Sequence, residues 1–305
     1  MAVRRARRRV KLRYNRRVLD ILRRLAGNKP KRIAIALGSG GARGLAHIPV
    51  LEVFDELGVR PAAIAGCSMG AVIGAGYAAG MSGKDIRAFA IDSLRKQGDF
   101  TRRLISMQWN SLRERWREKR SLSEFSMQFE AMGIAHEFLP AALPKTFEEL
   151  RIPLAVVATD FHQRCEVVYR TGLLRPAVAG SMAIPGVLRP VEFEGRVLID
   201  GGAVNPLPFD LIRKDADILV AVDITRLRDT PDGIPDPIQM LFMATDIMTH
   251  TIVTEKLKST APDILLRPNV SAFSALDFPR ALPILKASEP IKEELKRKLA
   301  ALLEA

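Results

Sequence analysis

The chain has 305 residues and an apolar fraction of 48%, which indicates a globular protein with a sizeable core rather than a disordered or fibrous one. Its net charge of +13 is concentrated in residues 1–32, which hold 14 Lys and Arg and one acid, whereas the remaining residues hold 33 charges of each sign. Two cysteines do not make a disulfide framework, so a reducing cytoplasmic location is predicted.

The first predicted segment is a basic amino-terminal arm over residues 1–32. After an arginine run too charged to pack, apolar residues recur at helical spacing between arginines, at Val18, Leu19, Ile21, Leu22 and Leu25. A basic amphipathic helix is typical of segments that lie on anionic membranes, and we expect residues 1–26 to bind the inner face of the membrane. Self-docking and nucleic-acid binding are the alternatives, nucleic acid being the least expected. Neither a secretory signal nor a transmembrane helix is predicted.

Residues 33–305 are predicted to form one domain in which strands alternate with helices. Strands are predicted over residues 33–37, 61–65, 154–159, 166–169, 218–222 and 264–266, with a hairpin over 191–199. Helices are predicted over residues 45–57, 71–79, 173–182, 235–259 and 289–304, and a helical stretch over 83–150, with Trp109 and Trp116, is expected to cap a site. This alternation predicts an α/β fold of three layers, α/β/α, with a mainly parallel central sheet.

The sequence Gly66-Cys67-Ser68-Met69-Gly70 lies between a predicted strand and a predicted helix of small residues. This is the G-x-S-x-G elbow, in which a strained turn presents the serine as a nucleophile. The flanking glycines avoid clashes, and the positive end of the following helix favours an anion at the site. The alternative is a serine that only caps a glycine-rich helix.

A glycine loop, Gly38-Ser39-Gly40-Gly41-Ala42-Arg43-Gly44, follows the first predicted strand. Such loops let backbone N–H groups converge on an anion, but neither phosphate-loop pattern is matched. Beside a serine elbow, the loop is instead expected to donate hydrogen bonds to the oxyanion of an acyl intermediate. Arg43 would add charge there or brace the loop through carboxylates.

A serine nucleophile needs a base, and two kinds are available. Asp200, in Asp200-Gly201-Gly202 at the end of a predicted strand, could accept the proton directly if an apolar pocket raises its basicity. A triad would use Ser68, Asp200 or Asp223, and His250, although His250 falls inside a predicted helix. His47 is expected to pack in the first helix, and no metal or cofactor is predicted.

These motifs, together with Ala158-Thr159-Asp160, the segment 177–186 and Asn205-Pro206, resemble the bacterial patatin-like phospholipases over about residues 33–225. The resemblance implies the patatin-like three-layer fold and a phospholipase A or lysophospholipase activity on phospholipid or lysophospholipid. It implies a Ser68–Asp200 catalytic dyad and an oxyanion hole from Gly40 and Gly41 with Arg43 nearby. The motif glycines are Gly38, Gly44, Gly66, Gly70, Gly201 and Gly202.

Two residues depart from the family pattern. Ser39 stands where glycine is frequent, but its backbone N–H is expected to remain available for an oxyanion. Pro49 lies early enough in its helix to be tolerated. The alternatives to the dyad enzyme are an α/β-hydrolase-type esterase that uses His250 and a non-catalytic adaptor bound to membrane or nucleic acid.

Overall fold

The computed structural model describes residues 31–94, 139–225, 234 and 237–304. All but the last two residues of the predicted basic arm lie outside this range, as do Trp109 and Trp116. Residues 139–150 fall within it and form turns and bends. The prediction that the whole of 83–150 is helical is therefore wrong over this part, where Pro140 and Pro144 interrupt helical hydrogen bonding.

The strands of the described residues are β1 (Ile33–Leu37), β2 (Ile64–Cys67), β3 (Leu154–Asp160), β4 (Cys165–Tyr169), β5 (Val191–Phe193), β6 (Arg196–Asp200), β7 (Ile218–Val222) and β8 (Ile264–Leu266). They form one sheet in the order β5-β6-β3-β2-β1-β7-β8, and β4 pairs with β3 outside this path. Strands β3, β2, β1, β7 and β8 are mutually parallel, whereas β4, β5 and β6 join through antiparallel pairs. The prediction of a mainly parallel sheet is confirmed.

The α-helices of the described residues are α1 (His47–Leu57), α2 (Met69–Ala78), α3 (residues 83–94), α4 (Leu174–Ser181), α5 (Pro237–Ser259), α6 (Ala281–Ser288) and α7 (Ile291–Glu304). Short 3-10 helices span Gly41–Ala46, Gly201–Ala203, Phe209–Asp215 and Phe278–Arg280. Helix α1 ends at Gly58, whose left-handed φ of 64° a glycine adopts without strain.

The hydrophobic cores on the two faces of the sheet differ in size. Alternate residues of β1 point to opposite faces, so Ile33, Ile35 and Leu37 enter the larger core, which includes residues of α1, α2, α4, α6 and α7. Ala34 and Ala36 enter a smaller core with Phe209 of the 3-10 helix and Val253 of α5. Helices thus cover both faces, which confirms the predicted three-layer α/β/α arrangement.

Two predicted boundaries differ from the structure for identifiable reasons. The strand predicted over 61–65 is instead Ile64–Cys67, because Gly66 and Cys67 continue the ladder opposite Val156 and Val157. The terminal helix predicted over 289–304 begins at Ile291 and is preceded by a separate helix, α6. Pro283 in the first turn of α6, where proline is tolerated, hides the helical pattern in the sequence.

Candidate active site

Ser68 occupies a strained turn between β2 and α2. Its φ of 54° and ψ of −122° are unusual for a residue with a side chain, and it precedes the first residue of α2. The turn requires glycine at position 70, because a Cβ there would lie within 3.0 Å of the Leu37 and Gly38 backbone. The predicted strand–serine–helix elbow is confirmed, and it buries Ser68 at the positive end of α2.

The elbow brings Ser68 against Asp200. The Ser68 hydroxyl donates to Oδ2 of Asp200 over 2.6 Å, and Oδ1 accepts the N–H of Gly202 over 2.7 Å. The Asp200 backbone is also fixed: its N–H donates to the Ala183 carbonyl, and its carbonyl accepts the Thr159 hydroxyl, each over 2.9 Å. Every polar group of Asp200 therefore has a defined partner, which fixes the carboxylate toward the serine.

Strand β3 explains why Ser68 and Asp200 meet. Cys67, the last residue of β2, pairs with Val157, whereas Asp200, the last residue of β6, pairs with the next residue of β3, Ala158. Strand β2 is parallel to β3 and β6 is antiparallel to it, so both strands end at the same point along β3. Their carboxyl-terminal residues are thereby brought together.

Burial raises the pKa of Asp200 to about 6, although the hydrogen bonds from Ser68 and Gly202 oppose this shift. The carboxyl group consequently remains ionised at neutral pH but is more basic than an exposed aspartate. A carboxylate of this basicity, bonded directly to a hydroxyl, can act as a general base.

Ser181 is a site residue to which the sequence interpretation gave no role. Its hydroxyl, fully buried at the end of α4, accepts the N–H of Ser68 over 2.9 Å. This contact supports the strained peptide that presents the Ser68 hydroxyl. A polar residue at the end of the apolar run Ala177-Val178-Ala179-Gly180 was the signal in the sequence, because a buried hydroxyl needs a partner.

The glycine loop lies against the elbow, with Gly44 packed on the side chain of Met69. Most N–H groups of the loop already have backbone acceptors. Gly38 donates to the carbonyl of Val222, Ser39 to that of Pro206, Ala42 to that of Ala275, and Arg43 to that of Gly40 within the loop. The expectation that the Ser39 N–H remains available is wrong, since the Pro206 carbonyl accepts it over 2.8 Å. Within the described residues, the N–H groups of Gly40 and Gly41 have no hydrogen-bond partner.

The structure explains three of the other glycines predicted in the motifs. A Cβ on Gly66 would lie within 3.0 Å of the Gly70 and Ala71 backbone, and one on Gly201 within 3.0 Å of the Val157 carbonyl. A Cβ on Gly202 would approach the Asp200 carboxylate. These positions keep the backbone close to the serine and the aspartate.

The Arg43 side chain joins the loop backbone to α5. Its guanidinium pairs with the Asp246 carboxylate through two nitrogens, one of them over 3.3 Å, and its Nε contacts the Gly40 carbonyl over 3.4 Å. The Arg43 side chain is only 3% exposed, so the pair is shielded from water. Of the two roles considered for Arg43, the structure shows the bracing of the loop.

The candidate bases other than Asp200 have partners elsewhere. His250 lies 3.5 Å from the Thr254 hydroxyl, one turn along α5, and Asp223 bonds to Thr225 and Arg267. His47 is fully buried and bonds to the Gly38 carbonyl over 2.8 Å, and burial lowers its pKa to about 4. The Ser68–Asp200 contact therefore contains no imidazole.

Cys67 precedes the serine but is fully buried, and burial followed by the charge of Asp200 raises the pKa of its thiol well above the usual value. A thiol that stays protonated is a weak nucleophile. Among the residues the structure describes, no three His, Cys, Asp or Glu side chains converge as a metal site would require. A site without cofactor remains a prediction.

An apolar cavity begins at Met69, the residue after Ser68. Leu45, which follows the glycine loop, also lines it, together with side chains of α2 and α3 that include Val72, Ile73, Ile86 and Phe89. The cavity therefore offers a hydrocarbon-like environment beside the polar Ser68–Asp200 pair.

Within the described ranges, no helix is both long and apolar enough to cross a bilayer.

The chain shows similarity to known proteins over most of its length. A family model described as patatin-like phospholipase matches residues 35–212. An uncharacterized NTE family protein of Mycobacterium tuberculosis is 38% identical over 208 residues, which are 66% of this chain and 51% of that protein. Lysophospholipase NTE1 of Cryptococcus neoformans is 33% identical over 226 residues, which are 70% of this chain and 12% of that protein.

Among solved structures, VipD from Legionella pneumophila has a TM-score of 0.45 and 14% identity. The match covers 88% of this chain and 66% of the VipD chain. The chain thus spans about half the length of the mycobacterial relative that it matches.

Proposed function

Because this chain belongs to the patatin-like phospholipase family, we propose that it hydrolyses acyl esters of phospholipids or lysophospholipids with Ser68 as nucleophile and Asp200 as base. The 2.6 Å hydrogen bond from the Ser68 hydroxyl to the Asp200 carboxylate carries this proposal. It supplies both parts of nucleophilic catalysis, an oriented hydroxyl and a base of raised pKa, without a histidine.

In the first half of the reaction, Asp200 takes the proton of Ser68 as the serine oxygen attacks the acyl carbonyl carbon. The negative charge that develops on the carbonyl oxygen receives hydrogen bonds from the free N–H groups of Gly40 and Gly41. When the intermediate collapses, protonated Asp200 returns its proton to the leaving alcohol, and an acyl ester of Ser68 remains.

In the second half, Asp200 accepts a proton from water, and the resulting hydroxide attacks the acyl-enzyme. Collapse of the second intermediate restores the Ser68 hydroxyl with the proton from Asp200 and releases the fatty acid. No proton or charge is left over at the end of the cycle.

Arg43 contributes by holding the loop, because its guanidinium is already paired with Asp246. In this proposal the acyl chain lies along the apolar side chains that line the cavity beside Met69. Apolar lining favours a hydrocarbon chain because its burial releases it from water. This arrangement favours lipid esters over esters of short polar acids.

We further propose that residues 1–32 form a basic arm and residues 33–305 the acyl hydrolase domain. Residues 1–26 would hold the enzyme peripherally on anionic membrane at the cytoplasmic face, each basic residue near the surface contributing about 1 kcal/mol. An amino-terminal truncation of these residues should weaken binding to anionic vesicles and leave hydrolysis of a small soluble ester unchanged. Equal vesicle binding by the truncated protein would contradict this role.

The catalytic proposal is tested with p-nitrophenyl butyrate and lysophosphatidylcholine as substrates for wild type, Ser68→Ala, Asp200→Asn and His250→Ala. Asp223→Asn is a matched control, since Asp223 also lies at the carboxyl end of the sheet, directly after β7. Loss of at least about a thousandfold in kcat is expected for Ser68→Ala and Asp200→Asn only.

A comparable loss in folded His250→Ala would favour the triad esterase instead. A folded wild type without activity on any ester would favour the non-catalytic adaptor. Salt-dependent binding of DNA or RNA by that protein would then identify its partner.

A further inference from the structure

One face of α5 exposes large apolar side chains. Met240, Leu241, Ile247 and Met248 are each more than half exposed, and Ala244 between them is exposed as well. Their spacing of one, four, seven and eight residues places them on a single side of the helix. We refer to Met240, Leu241, Ile247 and Met248 as the α5 stripe.

The same side of α5 changes character along the helix. Beyond the stripe it presents Thr251, Glu255 and Lys258, and the last two form an exposed ion pair over 2.6 Å. Residues 237–254 contain one Asp, Glu, Lys or Arg, which is Asp246, and this residue points to the opposite side toward Arg43. The second half of α5 is thus an ordinary water-facing surface, whereas the outward side of the first half is uncharged and mainly apolar, with Gln239 and Thr245 as its exposed polar residues.

Helix α5 also contacts the elements that build the site. Asp246 binds Arg43 of the glycine loop, and Leu241 approaches Gly186, in the turn that follows the Ala183 carbonyl bonded to Asp200. Near its end, Lys256 donates to Asn205 over 2.8 Å. The stripe therefore lies on a helix whose opposite side binds the glycine loop through Asp246, and the stripe residue Leu241 itself approaches the segment beside Asp200.

We propose that the α5 stripe is the surface by which this protein docks on a phospholipid bilayer, with its four apolar side chains inserted at the level of the acyl chains. The proposal rests on the proposed lipid-ester hydrolysis, because a bilayer-embedded substrate has to reach Ser68 from the membrane. An interfacial helix combines this kind of apolar face with polar residues elsewhere. The stripe offers no charged group by which a protein partner would be specified.

Salt separates the contribution of the stripe from that of the basic arm. Arg32 leads into the amino end of β1, whereas Ser68 follows the carboxyl end of the parallel strand β2. Arg32 and Ser68 therefore lie at opposite ends of the parallel strands. Attraction of the arm to anionic lipid is screened by salt, but insertion of apolar side chains is not. Neutral vesicles at high salt consequently isolate the stripe.

The test uses the full chain, phosphatidylcholine vesicles and 0.5 M NaCl (roughly the condition at which surface electrostatics are largely screened), with cosedimentation as the readout. Ile247→Glu/Met248→Glu is compared with wild type and with two controls. Ile247→Leu/Met248→Leu keeps the apolar surface, and Leu173→Glu adds a charge at a similarly exposed leucine next to the amino end of α4, whose other end contacts Ser68. All four proteins are also assayed on p-nitrophenyl butyrate, which needs no bilayer.

We expect wild type and both controls to bind the vesicles. The double glutamate variant should bind at least tenfold more weakly, roughly the effect of removing two buried apolar side chains. All four proteins should hydrolyse the soluble ester equally. Equal binding by the double glutamate variant, or no binding by wild type, would overturn the docking surface while leaving the hydrolase intact. A wild-type dimer that becomes monomeric in the variant, with unchanged vesicle binding, would overturn it in favour of a second copy. Stripe-dependent binding without any ester hydrolysis would retain the surface and contradict the proposed function instead.

Discussion

Ser68 and Asp200 are 132 positions apart, yet the serine hydroxyl donates directly to the aspartate carboxylate over 2.6 Å. The contact follows from the register of β3, on which Val157 and Ala158 pair with the last residues of β2 and β6. The proposed nucleophile and base are thus positioned by adjacent residues of one buried strand. Such a geometry resists distortion because backbone hydrogen bonds, rather than side-chain packing alone, set the distance.

The first prediction concerns the pH dependence of activity. Asp200 has to be ionised to accept the serine proton, and its pKa is raised to about 6 by burial. The value of kcat/KM on p-nitrophenyl butyrate should therefore rise with pH, reach half its plateau near pH 6, and stay constant from about pH 7 to 8. A profile without an inflection above pH 5 would contradict a buried aspartate base.

The second prediction concerns the stability cost of the raised pKa. Between the unfolded value of 3.8 and the folded value of about 6, the unfolded chain loses a proton that the folded chain keeps. The free energy of unfolding should therefore decrease across this window by about 3 kcal/mol and not change further above it. Asp200→Asn, which has no charge to bury, should be more stable than wild type at pH 8 by up to this amount, and the difference should vanish near pH 3.

Urea unfolding at pH 3.5, 5 and 8 measures this difference. Asp160→Asn is the opposite control, because contacts with the Gln163 N–H and Arg196 lower the pKa of Asp160. Its substitution should destabilise the protein at pH 8 rather than stabilise it. Equal stability of wild type and Asp200→Asn at every pH would show that burial of the carboxylate has no cost.

The third prediction assigns a positioning role to Ser181. Replacement of Ser181 by alanine leaves the buried N–H of Ser68 without an acceptor and allows the strained turn to relax. We therefore expect kcat to fall about tenfold, roughly the cost of one unsatisfied buried group, with little change in KM. Ser288→Ala is the control, since Ser288 is equally buried but donates only to carbonyls of its own helix. If both variants keep full kcat, the Ser181 contact has no role in positioning.

The fourth prediction concerns the buried pair that ties the glycine loop to α5. Asp246→Leu should reduce the free energy of unfolding by about 3–5 kcal/mol, because it leaves the Arg43 guanidinium buried without a countercharge. Arg43→Met/Asp246→Leu should recover most of this loss, since neither charge remains. Urea denaturation of wild type, both single variants and the double variant gives the coupling, and additive effects would argue against a direct pair.

The fifth prediction tests the apolar cavity as the acyl-chain site. Ala90, on α3, lines the cavity, and Ala90→Trp should reduce hydrolysis of p-nitrophenyl laurate at least tenfold relative to butyrate (about the loss of two or more buried methylenes). Ala88→Trp is a matched control, because Ala88 lies on the same helix but is exposed. An unchanged laurate-to-butyrate ratio in Ala90→Trp would place the acyl chain elsewhere.

The sequence alone determined the elements whose causes are local. The elbow at Ser68 and the hairpin over 191–199 each depend on a few neighbouring residues and are confirmed. In the structure the hairpin turns at Glu194 and Gly195, which both adopt positive φ, and α1 ends at Gly58. Alternation of apolar runs likewise predicted the mainly parallel sheet. Local steric limits and side-chain periodicity are sufficient for such features.

Tertiary structure alone decided which of these groups meet. The ladder register on β3 places Asp200, rather than His250 or Asp223, against Ser68. Carbonyls from three distant segments accept hydrogen bonds from the glycine loop, and within the described residues this leaves the N–H groups of Gly40 and Gly41 without an acceptor. The partners of Ser181 and Asp246 and the outward direction of the α5 stripe were equally hidden. These are relations between residues far apart in the chain, and they depend on strand order, register and packing, which no local pattern encodes.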